Sequence, residues 1–317
     1  MRHSTTFLMS LIVASILVLM FLNLVLGSVS IPLKSVWNII CGLGDEPVTW
    51  QNIVWKSRLP QALTALVAGA GLAISGLQMQ TVFRNPLAGP SVLGISSGAS
   101  MGVAFVVLLS GSLGGVALSK LGFMGEIALS IAAVIGSLSV MALIVYVSQK
   151  VKGNVTLLII GVMIGYVANA VIGVLKFFSV EEDIRAYVIW GLGSFSRVSG
   201  NQMMLFVAIM AILIPLSFLL IKTLNLMLLG DGYARNLGLN IKRARLLVIT
   251  SAGVLTAIVT AYCGPVIFLG LAVPHLCRAI FQTSDHRVLM PAVLFAGAAL
   301  AQSSPAVPQS SALRTRF

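Results

Sequence analysis

QALTALVAGAGLAISGLQMQTV, residues 61–82, runs for 22 residues without a charged side chain and meets RNPLAGP, residues 84–90, one position later. A helix rises ~1.5 Å per residue, so ~20 apolar residues cross the ~30 Å of hydrocarbon in a bilayer. The stretch therefore reads as a spanning helix. Proline removes a backbone donor and pushes the residue before it out of the helical region. Pro86 and Pro90 thus turn the chain, and a second apolar run starts at about residue 91.

Working outward, the pattern repeats. Candidate spans lie near 7–27, 61–82, 91–111, 123–148, 155–176, 202–222, 246–262, 265–281 and 288–301. Of the 317 residues 58% are hydrophobic and 9% charged, and the mean hydropathy is +1.04. A soluble domain carries roughly 25% charged residues, so lipid is the solvent for most of this chain. The runs are continuous rather than alternating over about ten residues, which favours helices over a barrel. The fold class is an all-α integral membrane bundle. Residues 1–300 form one transmembrane domain, and 301–317 read as an atypical, disordered tail.

The net charge of +12 comes from 20 basic and 8 acidic residues placed between the apolar runs. Positive-inside topology explains it, and nucleic acid is not an expected partner. With the N-terminus inside, the inner segments hold eleven basic residues against Asp231 and Asp285. The outer ones hold seven against Asp45, Glu46, Glu126, Glu181, Glu182 and Asp183. The expected location is the inner membrane, multi-pass, with a cytoplasmic N-terminus. The long outer stretch 28–60 carries Trp37, Trp50 and Trp55 and suits a short helix lying on the surface.

Catalytic motifs are sparse. Gly94-Ile95-Ser96-Ser97-Gly98 matches G-x-S-x-G, but the string lies in a glycine-rich span rather than on a strand-to-helix turn. The histidines are His3, His275 and His286, and His275 reads as a helix-packing residue. There is no HExxH and no P-loop string, so any ATPase is a separate polypeptide. The acids fall in or beside loops, which disfavours ion-coupled transport. Cys41, Cys263 and Cys277 have no metal or disulfide spacing. Gly94, Gly98 and Gly102 form one stripe, and Gly161, Gly165 and Gly173, with Asn169 in the gap, form another; such stripes let helices approach closely. Gly89-Pro90 and Gly264-Pro265 each precede an apolar run reaching a glycine, which hints at an internal duplication. The inner stretch 229–240 predicts a short helix capped by Gly238 and a new start near Asn240. Its Tyr233, Leu237 and Leu239 suggest a partner surface.

Four stretches together carry a family resemblance: Arg58-Leu59-Pro60 with the small-residue run 68–76; Gln80 with Arg84-Asn85-Pro86-Leu87-Ala88-Gly89-Pro90 and Leu93-Gly94-Ile95; Trp190-Gly191-Leu192-Gly193-Ser194-Phe195; and Leu229-Gly230-Asp231 with 234–239, Gly264–Leu271, Pro274-His275 and Arg278. Over roughly 7–300 the chain resembles FecCD-type permease subunits of ABC importers for iron-siderophores, haem or cobalamin.

The resemblance implies ten spans, of which about nine are present. It implies a non-enzymatic permease for an iron chelate, with cobalamin or haem as alternatives and an ion-coupled secondary transporter as the rival class. It implies a homo- or heterodimer with a second permease chain, a periplasmic or lipid-anchored binding protein and a cytoplasmic ATPase dimer that holds the ATP; no cofactor is expected here. By that analogy Gly230, Asp231, Tyr233, Ala234, Arg235, Leu237, Gly238 and Leu239 couple to the ATPase, and Lys56, Arg58 and Arg185 meet the binding protein. Gln80, Asn85, Pro86, Gly89, Pro90, Gly94 and Ser97 line the path and its inner gate.

After Leu300 the chain turns to serine and proline where such families continue a span and add another. The expected cause is a truncation or frameshift, leaving the chain as written unstable or inactive. Sequencing the gene tests this: a locus with no alternative frame encoding an apolar continuation would sink the frameshift reading.

Overall fold

A computed structural model describes residues 2–27, 29–43, 45–112, 123–151, 153–198 and 200–303, and among them no strand occurs. The chain opens with α1 (Arg2–Val25), then two short helices, α2 (Leu33–Cys41) and α3 (Val48–Ile53). A π-helical turn, Val54–Arg58, joins α3 to α4 (Leu59–Phe83). A 3-10 turn, Pro90–Leu93, leads into α5 (Ile95–Ser112); α6 (Phe123–Lys150), α7 (Asn154–Phe177) and α8 (Glu181–Gly191) follow. Next come α9 (Gly200–Phe218), α10 (Ile221–Leu228), α11 (Asp231–Asn236), α12 (Ile241–Cys263), α13 (Phe268–Phe281) and α14 (His286–Gln302).

The nine expected spans each fall on a helix, with informative departures. Among the described residues five helices are long and apolar enough to cross a bilayer, or six if α9 and α10, bent by 45° at a short break, count as one. The expected 202–222 span is therefore broken at Leu219–Leu220. α13 has 14 residues, about 21 Å of helix, because Gly264 takes a positive φ and its helix starts only at Phe268. α5 starts late for the same reason, since Gly94 is left-handed at φ 74°. The last helix continues past the expected boundary at 300: Gln302 is buried and donates to Ala62 O at 2.7 Å, while Asn23 donates to Gln302 O at 2.7 Å. The expected disordered tail lies, from 304 on, outside the described residues.

The stretch 28–60 does hold surface helices. α2 buries Ser35, Val36 and Ile39 and leaves Trp37 exposed, edge-on to Phe21.

α4 is the centre of the bundle and is buried along most of its length. Lipid tails give helices no hydrophobic reason to associate, so close backbone approach and interhelical hydrogen bonds hold a membrane bundle together. α4 uses both. A side chain at Gly76 would overlap the Gly270 carbonyl of α13, and one at Gly69 that of Gly297 of α14. On the α12 side, Ser75 donates to Ala252 O at 2.8 Å and lies 2.7 Å from Thr256 Oγ1, and Gln78 reaches Ser251 at 3.1 Å. The glycine stripes do the same elsewhere. Gly98 and Gly102 lie on Gly136 and Ala132 of α6, and Gly161 lies on Leu93.

Gly76→Val is expected to cost about 2 kcal/mol or more by overpacking and to lower the melting midpoint of the detergent-solubilised protein. Gly173→Ala, whose added carbon meets nothing within 4 Å, should leave the midpoint unchanged or slightly raised.

Candidate functional site

A cavity of about 440 Å³ lies between the start of α5, the middle of α7, α8 and the Pro265–Ile267 loop. Its polar lining is hydroxyls and one amide, from Ser96, Ser97 and Ser100 on α5, Tyr166 and Asn169 on α7 and Tyr187 on α8, and Val92, Val162, Pro265 and Ile267 add apolar wall. Gly94 makes a left-handed turn at the start of α5, and the bare backbones of Gly161 and Gly165 let α7 approach it, Gly161 against Leu93 and Gly165 beside Ser97 Oγ. α7 offers Tyr166 and Asn169 on an exposed flank of the bundle, so the cavity opens sideways. Lys176 sits 4.7 Å above the Tyr187 ring, near the end that carries Glu181, Glu182 and Asp183. No group of three or more metal-ligating side chains occurs among the described residues. Ser96, the serine of the hydrolase-like string, is buried with Thr260 Oγ1 at 3.5 Å.

The basic face carries the α10–α11 segment. α11 is flanked by Gly230 and Gly238, both at positive φ. Ala234 is its buried foot, Leu239 packs against the core, and Tyr233, Arg235 and Leu237 point outward, Tyr233 being 73% exposed and Leu237 61%. Asn240 caps α12 by accepting from Arg243 N at 3.1 Å. Hydrogen bonds and an ion pair join this face to the last turn of α4. Arg84 pairs with Asp231, and Gln80 bonds Arg278 and, at 3.0 Å, Leu271 O. Thr81 lies 2.8 Å from His286 Nε2. The Asn225 amide nitrogen donates to Asp285 at 2.6 Å, which leaves its oxygen to accept from the His286 backbone and Nδ1. Those donors, first the Arg287 backbone N–H and then Asn225, hold the Asp285 carboxyl below the usual carboxylate range.

The expected site residues separate on this geometry. Of the path set, Gly94 and Ser97 line the cavity. Gln80 is buried and spent on α13, Asn85 accepts from Leu87 N to close its own turn, and Pro86 is exposed at that turn. Gly89 and Pro90 are buried against Leu271 and Gly270. These five belong to the basic-face joint and not to the cavity wall. Of the coupling set, Asp231 turns inward to Arg84 and Arg245, and Ala234 faces the bundle. Lys56 and Arg185 are exposed. Arg58 is a correction: it is only 6% exposed and donates to the carbonyls of Leu24 at 2.7 Å, Val25 at 2.8 Å and Val29. A guanidinium with five donors ties off the end of α1, and it is not a surface contact.

Sequence reasoning passed over Tyr166, Ser100 and Tyr187 and took Asn169 only as the gap in a glycine stripe. The available signal was Asn169, a lone amide inside an apolar span, where polar groups are costly and face an interior or a water-filled space.

With the geometry known, comparisons identify the relatives. Residues 15–308 match the profile of the FecCD transport family. The vitamin B12 import system permease protein BtuC of Klebsiella pneumoniae is 36% identical over 248 residues, 78% of this chain and 71% of that protein. The hemin transport system permease protein HmuU of Yersinia pestis is 34% identical over 277 residues, 87% of this chain and 79% of its own. Among solved structures, an inward-facing metal-chelate type ABC transporter superposes with a TM-score of 0.78 at 26% identity, covering 93% of this chain and 88% of that one.

Arg58→Gln should strip charge-assisted bonds from the α1 terminus at a cost of about 2 kcal/mol, read as a lowered melting midpoint. Lys56→Gln should not move it.

Proposed function

The chain belongs to the FecCD transport family, and from that premise we propose that it passes an iron chelate across the inner membrane through a path that includes the α5–α7–α8 cavity. It is the membrane-spanning permease subunit of an ABC importer. The observation that carries the substrate reading is the cavity lining. Neutral hydroxyls, an amide and apolar side chains, with no charged group among them, suit the organic shell of a metal that arrives already chelated, and the space is of the scale that ligand sites occupy. Cobalamin and haem remain the alternatives because the relatives at 36% and 34% identity are named for them.

The rest of the assembly follows from this reading. The cavity opens on a flank where lipid would meet polar groups, which favours a second permease chain, identical or different, against α7. The basic face is taken as cytoplasmic, which puts the N-terminus inside. There Tyr233, Arg235 and Leu237 form the surface for the ATPase pair, which binds and hydrolyses the ATP. On the other face Lys56 and Arg185 are the cations available to acids of a periplasmic or lipid-anchored binding protein. ATP-driven closure of the ATPase pair moves the docked segment and so biases the permease between access states.

Two measurements test this. An ATPase co-expressed with the chain should co-purify with it and be lost on the Arg235→Glu, Leu237→Asp double change; retention on the double change would remove the docking surface. In proteoliposomes with the ATPase and binding protein, Ser97→Leu with Asn169→Leu should cut uptake of labelled ferric chelate by about tenfold or more while the ATPase still co-purifies. Unchanged uptake would remove the cavity from the path.

A further inference from the structure

Arg84 closes α4 in a conformation that side chains avoid. Its φ is 50°, one of two positive values at residues other than glycine among those described, and the other, Gln282, closes α13. A non-glycine residue in that region is strained and persists only where its surroundings hold it. The turn is held from the backbone side, since Arg84 N donates to Thr81 O at 3.3 Å and Asn85 N to Gln80 O at 3.2 Å. The result aims the guanidinium across the break between α10 and α11. On one side of the break it donates to Met227 O, at 3.4 Å, in the last turn of α10. On the other it pairs with Asp231, the first residue of α11. Between the two stands Gly230 at φ 98°. The second Asp231 oxygen faces Arg245 of α12 at 3.9 Å.

The placement is electrostatically consistent. A cation at the carbonyl end of α10 and an anion at the amide end of α11 each suit the local backbone dipoles. Both charged side chains are about half exposed, and pairs of that kind are individually weak and readily exchanged. Arg84 stands at the end of a helix whose backbone touches α13 and α14 with no room for a side chain. The outward face of α11 is free for a partner, and its inward face meets the bundle through Ala234 and Asp231.

We propose that Arg84 is the positioning residue that couples α11 to the transport bundle: its pairing with Asp231 across the Gly230 break converts movement of the docked segment into movement of α4. The proposal rests on the reading of α11 as the ATPase-docking element. Arg84 takes no part in docking. It sets whether a docked ATPase drives the permease. Covering by the partner lowers the local dielectric and strengthens the pair, so the joint is firmest when the ATPase is bound.

The experiment uses the full importer in proteoliposomes: chain, ATPase and binding protein. Three forms are compared with the original: Arg84→Asp, Asp231→Arg, and the two together. ATPase co-purification, ATP hydrolysis and chelate uptake are read on each. The single changes should keep the ATPase bound and hydrolysing. Uptake per ATP should fall about fivefold or more, the scale of a coupling between sites, and the double exchange should recover most of it. Failure of the original chain to hold an ATPase would overturn the docking reading itself, and this proposal with it. A retained ATPase with unchanged uptake per ATP in the single changes overturns the positioning role alone. So does loss of the ATPase in the single changes, which would make the pair part of the docking surface. A misfolded single variant is recognised by aggregation on size exclusion. The milder Arg84→Gln and Asp231→Asn changes then carry the comparison, with the same fall in uptake per ATP expected and unchanged uptake per ATP overturning the proposal.

Discussion

Two backbone contacts hold the molecule's geometry: Gly76 against Gly270, and Gly69 against Gly297. A methyl group added at Gly76 would overlap Gly270 O, and one at Gly69 would overlap Gly297 O, while one at Gly270 would crowd Pro90 and Leu72 O at 2.9 and 3.0 Å. In lipid such contacts matter more than in water, because dispersion and hydrogen bonding must supply what the hydrophobic effect does not. α4, so placed, is surrounded by protein and reaches α12 through Ser75 and Gln78. The helices on the rim are different. α1 and α7 turn large apolar side chains outward, as a lipid solvent requires.

A helix locked along its length is useful only if its ends are connected, and α4 is connected at both. At one end Arg58 saturates the carbonyls that close α1. At the other, Gln80, Thr81 and Arg84 lie within little more than one turn and reach α13, α14 and α11. His286 extends the same end to α10 through Asn225. The polar residues of α4 are thus sorted by position. Those in the middle glue neighbouring helices, and those at the ends join the elements that a partner or a surface helix touches.

How much of this the sequence disclosed follows from range. Composition and run length are local properties, so the spans were legible, as were the turn at 84–90 and the short helix before Gly238. The break at Leu219–Leu220 was not, since leucine, isoleucine and lysine there carry no turn chemistry. Arg58 and Asp231 were read through the family resemblance, as charges that meet partners at the two membrane faces. Their partners are 29–34 and 147 residues away in sequence, and nothing in a single chain announces which carbonyl or guanidinium a charge will find. The Gly94–Gly98–Gly102 stripe and Gly161 gave the packing but not the partner helix, and Gly173 of the second stripe meets nothing within 4 Å. Asn169 was visible as a gap in a stripe, and its meaning needed the neighbouring hydroxyls of α5 and α8, which only folding brings to it.

The cavity and the joint share no residue, and one constraint links them. Gly94, which opens the cavity, follows directly on the 3-10 turn whose Pro90 lies against Gly270. Gly270 in turn touches Gly76 of α4, one turn before Gln80 and two before Arg84. A shift of the α4 end therefore meets the Gly76–Gly270 contact first and the mouth of α5 next, through atoms already in contact. Packed interiors of this kind move between discrete arrangements rather than yielding gradually. On the importer reading, that continuity is what lets an event at the basic face alter the wall of the cavity.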